Sequence, residues 1–279
     1  MLSHFLPSDF DSTKPVGLIA GRGSYPKLVA DRAKELGVPV RLIAFEDEAN
    51  DELFDSFPEE HRARINVGQL GKWLRALRKF DCQYSIAAGQ VKPGKLFRDL
   101  KPDFKATALL VKLKRKNADT IFSAIAEELT QNGQTALDAR AFLEQDLASE
   151  GPMTRRSEKI EDTYLQHGIE IASEMARLDV GQSVIVRKGT VIAVEAFEGT
   201  DPMIKRAGNF NTDQLILVKT VKPQQDYRFD VPVFGSRTLE TMKEAGINTA
   251  LLKANSVIIL DQKRIISQAE AAKIQLIGF

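Results

Sequence analysis

Short runs dominated by apolar residues recur through the first half of the chain, at 16–20, 40–45, 64–67 and 84–88. Between them the apolar positions spread to every third or fourth residue, as at Leu28, Ala30, Ala33 and Leu36 before Gly37, and again over 73–79. The dense runs read as buried strands and the spaced ones as amphipathic helices. Such an alternation predicts an open parallel sheet in an α/β arrangement. A helix over 119–131 follows, with Ile121, Ile125 and Leu129 on one face, Asn117 or Asp119 as its cap and Asn132-Gly133 as its stop. A short strand is expected at 135–139.

The pattern changes after residue 146. Residues 147–154 combine small residues with a Gly-Pro pair and no periodic apolar face, which is linker composition. An amphipathic helix over 157–178 then buries Ile160, Tyr164, Ile169, Ala172 and Met175, and residues 183–196 form a hairpin turning at Lys188-Gly189. A strand at 215–218, a helix at 238–245 closed by Gly246, a strand pair at 249–252 and 257–260, a helix at 262–273 and a strand at 274–277 complete the chain. With 279 residues, two domains are expected. The predicted class is α/β: a polar leader at 1–14, a Rossmann-like nucleotide-binding domain at 15–146, a linker at 147–157, and a mixed α/β catalytic domain at 158–279.

Charge narrows little globally, since 39 basic residues face 38 acidic ones. Locally, residues 92–116 carry nine basic residues against Asp99 and Asp103. That stretch suits a diphosphate or an anionic lipid surface as well as it suits a solvated helix face. It matches no nucleic-acid recognition motif, and nucleic acid is not expected as a partner. No run is long and apolar enough to cross a bilayer, and the acids and proline near the start do not make a signal peptide, so a cytoplasmic protein is expected. The lone Cys82 excludes an intramolecular disulfide framework, and reads as a core residue.

Candidate chemistry gathers at element ends. Three predicted strands run into glycine-bearing loops, Gly21/Gly23, Gly68/Gly71 and Gly89, and in a parallel sheet such loops line the carboxyl edge where ligands bind. Gly21-Arg-Gly-Ser-Tyr-Pro26 between strand and helix has the layout of a phosphate cradle, with Glu46 and Asp47 about where a ribose-binding acid belongs. Pro26 falls where a nicotinamide fingerprint needs its third glycine, which counts against a nicotinamide-dependent oxidoreductase. Lys72 is either a phosphate contact or a surface lysine. His4, His61 and His167 have no metal-ligand spacing, and no Gly-x-Ser-x-Gly elbow is present.

The second half is rich in oxygen ligands: Glu195, Glu198, Asp201, Asp226 and Asp230, with Lys205, Arg206, Lys219, Lys222 and Arg228 close in sequence. Carboxylates with few histidines suit a hard cation such as Mg²⁺, and the bases suit phosphates. Asp201, ahead of Pro202, is equally placed to cap a helix. Asp230 lies between Phe229 and Val231-Pro-Val, an apolar frame that would partly desolvate it.

Six segments carry a resemblance: GLIAGRGSYP at 17–26, VGQLGKW at 67–73, AGQV at 88–91, RLDVGQSVIV at 177–186, AVEAFEGTDPMIKRAG at 193–208 and KPQQDYRFDVPVFGSRT at 222–238. Over residues 15–279 the chain resembles the LpxI-type UDP-2,3-diacylglucosamine pyrophosphatases of the lipid A pathway. The resemblance implies hydrolysis of that substrate to 2,3-diacylglucosamine 1-phosphate and UMP, with Mg²⁺ or another divalent cation, by a cytoplasmic protein peripheral to the inner membrane. Water would attack the sugar-side phosphorus. Asp230 matches the family's important acid, with Asp226 and Arg228 as catalytic companions and Asp230 and Asp201 as metal ligands. Glu198, Gly199, Thr200, Asp201 and Arg206 match the EGTD loop and its following base. Lys222 and the loops Gly21, Gly23, Gly68, Gln69, Gly71, Lys72, Gly89 and Gln90 are assigned to substrate. Arg22 and Tyr25 depart from the small or aliphatic residues often found in the family, and Asn117-Ala118-Asp119 from its Gly-Asp-Asp. A non-catalytic nucleotide-sugar or lipid-binding protein is the remaining alternative, and a homo-oligomeric state is left open.

Overall fold

The computed structural model describes residues 3–91, 102–114, 118–155 and 160–279. Six of the nine basic residues of 92–116, and the expected cap at Asn117, lie outside the described residues. The chain divides into two units, Met1–Leu143 with Asp226–Asp230, and Glu144–Gln225 with Val231–Phe279.

In the first unit, β1 (Val16–Ala20) is buried along its whole length and sits between β2 (Val40–Phe45) and β4 (Tyr84–Ala88), both parallel to it. With β3 (Arg62–Ile65) and β5 (Thr135–Ala136) the order is β3-β2-β1-β4-β5, all parallel. This is a doubly wound order, and it reverses between β1 and β4. The third strand starts earlier than the predicted 64–67 because its guanidinium groups hide apolar contacts: Arg62 and Arg64 both lie over the Phe54 ring, 4.4 and 4.2 Å from its centroid. The fifth strand stops at Ala136, short of the predicted 139. Between the strands lie α1 (Tyr25–Glu35), α2 (Asp51–Asp55), α3 (Leu70–Lys79), α4 (Phe104–Lys112) and α5 (Ala118–Gln131). The residues read as a leader with little structure are anchored: the Phe10 ring lies 4.6 Å from that of Tyr84, and the Asp11 amide donates to the Tyr84 hydroxyl at 2.9 Å. Two phenylalanines among mostly polar residues were too sparse a pattern to predict this.

The second unit holds a six-stranded mixed sheet, β6-β13-β11-β9-β7-β8. Its parallel centre is β9 (Ile216–Lys219), β11 (Thr249–Leu252) and β13 (Gln275–Gly278). The hairpin of β7 (Ser183–Arg187) and β8 (Thr190–Val194) runs antiparallel beside β9, and β6 (Gly151–Pro152) closes the other edge. Part of the segment with linker composition is therefore a strand, and Ala148 beside it is fully buried. The expected pairing of 249–252 with 257–260 is not observed. Instead β11 inserts between β9 and β13, and β12 (Ile258–Ile259) pairs in parallel with β10 (Val233–Phe234). The run 257–260 is apolar on every residue and 249–252 on all but Thr249, the signature of strands buried on two faces rather than of a hairpin.

Alternate residues of this sheet enter two separate cores. Ile185, Leu217, Ala250 and Leu276 pack with Met203 and Ile204 of α7 (Thr200–Gly208), Leu239 and Met242 of α8 (Ser236–Glu244), and Ile265 of α9 (Gln262–Ala271). Val184, Val186, Ile216 and Val218 pack with Ala172 of α6 (Asp162–Arg177). That helix approaches closely at Gly168, where a Cβ would lie 2.8 Å from a Val218 methyl.

Candidate active site

In the first unit the predicted loops share the carboxyl edge of the sheet. At its reversal point the loops after β1 and β4 interlock through backbone: Gly21 N donates to Ala88 O at 2.8 Å, Arg22 N to Gln90 O at 2.7 Å, and Gln90 N to Arg22 O at 3.0 Å. A Cβ on Gly21 would stand 2.5 Å from Gln90 O, and one on Gly89, at φ +92°, 2.7 Å from Arg22 O. These two glycines are explained by each other's backbone. Gly23, at φ +97°, faces open space.

The acid that reaches this loop is Glu48, two residues beyond the expected Glu46. It is buried and ion-paired with Arg22 at 3.2 Å. Tyr25, the other departure from the family pattern, donates its hydroxyl to Ala139 O, and burial raises its phenol well above the ordinary range. At the start of α3, which carries Gly71 and Lys72 behind Gly68 and Gln69, the Gly71 amide donates to the Asp103 carboxylate at 2.8 Å. Asp103 also caps α4 through Ala106 N at 2.9 Å, and its own amide donates to Gly68 O at 3.1 Å. The chain thus supplies its own anion where a phosphate was expected. Asp103 gave no sequence signal beyond its place before an apolar run.

The segment Asp226–Asp230 belongs to this unit, just past the end of β5. Tyr227 O accepts from Ala139 N at 2.7 Å, and the Arg140 guanidinium lies 3.5 Å from the Tyr227 ring centroid while paired to Asp138. Phe229 stacks on Phe122, 5.4 Å between centroids and 5° between planes. Arg228 donates to both carboxylate oxygens of Asp226, at 2.9 and 2.8 Å, and holds that carboxyl below the usual carboxylate range. The Asp230 amide closes the turn onto Asp226 O at 3.1 Å. Asp226 and Arg228 are thereby committed to each other.

The remaining candidates lie in the second unit, around the carboxyl end of β9. Gly199, at φ +85°, is the N-cap of α7. Asp201 does not cap the helix; it pairs with Arg237 at 2.7 Å and accepts from the Thr238 hydroxyl at 3.0 Å. Glu198 pairs with Arg206 at 2.8 Å, and this hydrogen bond lowers its carboxyl. Lys222 pairs with Asp179 at 2.6 Å. Behind the loop, buried Lys219 donates to Thr200 Oγ1 at 3.1 Å, and Thr200 donates to Glu195 Oε1 at 2.8 Å.

Every acid in these two groups is a hard oxygen donor, the right chemistry for Mg²⁺. Among the described residues no three His, Cys, Asp or Glu side chains come together as a metal cluster. The donor set fits an ion that takes one or two protein carboxylates and fills its shell from phosphate and water, as Mg²⁺ commonly does.

Residues 15–145 match the LpxI N-terminal domain and residues 149–277 the LpxI C-terminal domain. The chain carries both, in order. It belongs to the LpxI family. The chain is also similar to a Caulobacter vibrioides protein named UDP-2,3-diacylglucosamine pyrophosphatase LpxI, 28% identical over 281 residues, covering 95% of this chain and 97% of that one. The LpxI C-terminal match contains Asp226–Asp230, although these residues pack within the first unit.

Proposed function

We propose that this LpxI-family chain hydrolyses the diphosphate of UDP-2,3-diacylglucosamine to 2,3-diacylglucosamine 1-phosphate and UMP. The observation that carries the reading is the full-length likeness, both LpxI domains in order, to a relative bearing that enzyme's name. In the reaction, water adds to the sugar-side phosphorus and the bridging bond breaks, so the bridging oxygen leaves with UMP. Asp230 orients or deprotonates that water. Asp226 and Arg228, locked together, hold the turn that presents it. The interlocked Gly21, Gly23, Gly89 and Gln90 loop, with Gly68, Gln69 and Lys72, receives the nucleotide half; Glu198, Thr200, Arg206 and Lys222 serve the sugar-phosphate half. Asp230 in the first unit and Asp201 in the second would each offer a carboxylate oxygen to a divalent cation, which when bound neutralises phosphate charge.

The substrate carries two acyl chains, so the protein works at a membrane surface. No helix among the described residues is long and apolar enough to cross one. Support for peripheral binding comes from α4, where Phe104 and Val111 are 89% and 78% exposed beside Lys105 and Lys112. The test is UMP release from UDP-2,3-diacylglucosamine in ¹⁸O-water with Mg²⁺. Label is expected in the sugar phosphate; absence of UMP would sink the reading, and label in UMP would move the attack to the other phosphorus.

A further inference from the structure

Lys219 ends β9 and is buried, yet among the described residues no carboxylate forms an ion pair with it. Its ammonium donates to Thr200 Oγ1 at 3.1 Å and, at a longer 3.4 Å, to Ser183 Oγ. Ser183 is itself fully buried, and is the neighbour of Lys219 across the β7–β9 pair. Since an ammonium only donates, the Thr200 hydroxyl must accept from Lys219 and give its own proton to Glu195 Oε1, 2.8 Å away. The chain ammonium, hydroxyl, carboxylate therefore has a fixed direction.

Glu195 is fixed from its backbone side too. Its amide donates to Ser183 O at 2.9 Å, and Gly181 packs so tightly beneath it that a Cβ there would lie 2.2 Å from Glu195 O. One carboxylate oxygen is pinned by Thr200. The other, Oε2, is buried and no donor among the described residues hydrogen-bonds to it. A desolvated oxygen without a donor is destabilising, and a buried polar atom left in that state calls for an explanation such as a role in binding.

We infer that Glu195 Oε2 is a specificity-determining acceptor for a sugar hydroxyl or sugar amide N–H of the bound ligand, held in place by Lys219 through Thr200. Lys219 and Thr200 are positioning residues in this arrangement. The fit to a sugar follows from the chemistry: a carboxylate oxygen whose twin is already satisfied takes one O–H or N–H, and repels a phosphate. The inference rests on the proposed pyrophosphatase reading only in naming the sugar as part of a nucleotide-sugar substrate.

The test measures binding without turnover. N-acetylglucosamine 1-phosphate and UMP are titrated separately into the full-length protein, followed by NMR chemical shifts, with thermal melting run on every variant. E195A and T200V are expected to weaken the sugar phosphate about tenfold or more, as loss of a hydrogen bond to a charged group implies, and to leave UMP unchanged. T200S, which keeps the hydroxyl, restores native binding, and K219M weakens the sugar phosphate alone. Native-like binding by folded E195A overturns the inference, as does a T200V variant no weaker than T200S, equal loss for both ligands, or no binding of the sugar phosphate by native protein. Sugar binding that depends on Glu195, in a protein that releases no UMP from UDP-2,3-diacylglucosamine, upholds this inference and overturns the hydrolase reading alone.

Discussion

Arg228 reaches back two residues to close both of its hydrogen bonds on Asp226, Nε to Oδ1 at 2.9 Å and Nη2 to Oδ2 at 2.8 Å, inside a turn that begins at Asp226 and ends at Asp230. Two acids four residues apart in one motif thus have different surroundings. Removing Asp230 is expected to lower kcat by about 10²–10⁴ with little change in melting temperature. D226N should act chiefly on stability. Steady-state kinetics and melting on the two variants check this; equal kinetic loss in both would show that the pair works as one unit.

The same pair sets a pH dependence. Arg228 lowers the folded-state carboxyl of Asp226, so its contribution to stability is fully present above the ordinary carboxylate value of about 3.9 and is lost as pH falls through the lower folded value. In D226N the acid limb of the curve of melting temperature against pH should flatten. An unchanged limb would place the acid sensitivity at Glu198 or Asp213, whose carboxyls are lowered by Arg206 and Arg187.

Three glycines of the predicted nucleotide loop should respond unequally to alanine. At Gly89 both the positive φ and a Cβ 2.7 Å from Arg22 O oppose the change, and at Gly21 the obstacle is Gln90 O at 2.5 Å. At Gly23 only the positive φ opposes it, at about 1–3 kcal/mol. Urea denaturation should rank G89A as the most destabilised and G23A the least. A reversed order would mean that the two loops separate without cost.

The alternation of apolar runs and helical spacing was enough to read most strands of the two larger sheets, because core strands such as 16–20 and 216–219 are buried at every position. What the sequence hid was pairing. Ala148 and Gly151 look like linker residues because small side chains and a Gly-Pro pair signal turns, yet the segment lies as an edge strand against β13, where a Cβ on Gly278 would stand 1.8 Å from Ser149 O. At the site, the EGTD loop and the 226–230 turn were legible as charge clusters. Their partners were not: Glu48 for Arg22, Asp103 for Gly71 and Arg140 for Tyr227 lie 26, 32 and 87 positions away, beyond any local pattern.

Cys82 offers a check on the first core. Burial pushes its thiol up to about 12, so at neutral pH almost no thiolate is present. A disulfide reagent such as Ellman's should label it only as fast as the first unit opens, and in step with urea unfolding. Immediate stoichiometric labelling of native protein would contradict the packing around Cys82, Leu77 and Leu129.

The stack of Phe229 on Phe122 is the last contact before Asp230, and it tests whether the acid depends on a fixed turn. Parallel rings at 5.4 Å contribute about 0.5–1.5 kcal/mol beyond the area they bury, a small part of the stability of the unit. Position is more sensitive than stability, since a displacement of about 1 Å in a reacting group can cost roughly 10²-fold in rate. F122A is therefore expected to melt only a few degrees lower but to lose tenfold or more in kcat with KM little changed, and F122L to recover part of the rate. The Tyr227 side of the turn, held by Arg140 and by Ala139 N, should keep the segment folded in F122A, so loss of the whole unit is not the expected result. Full kcat in F122A would show that Tyr227 and the Asp226–Arg228 pair alone fix Asp230.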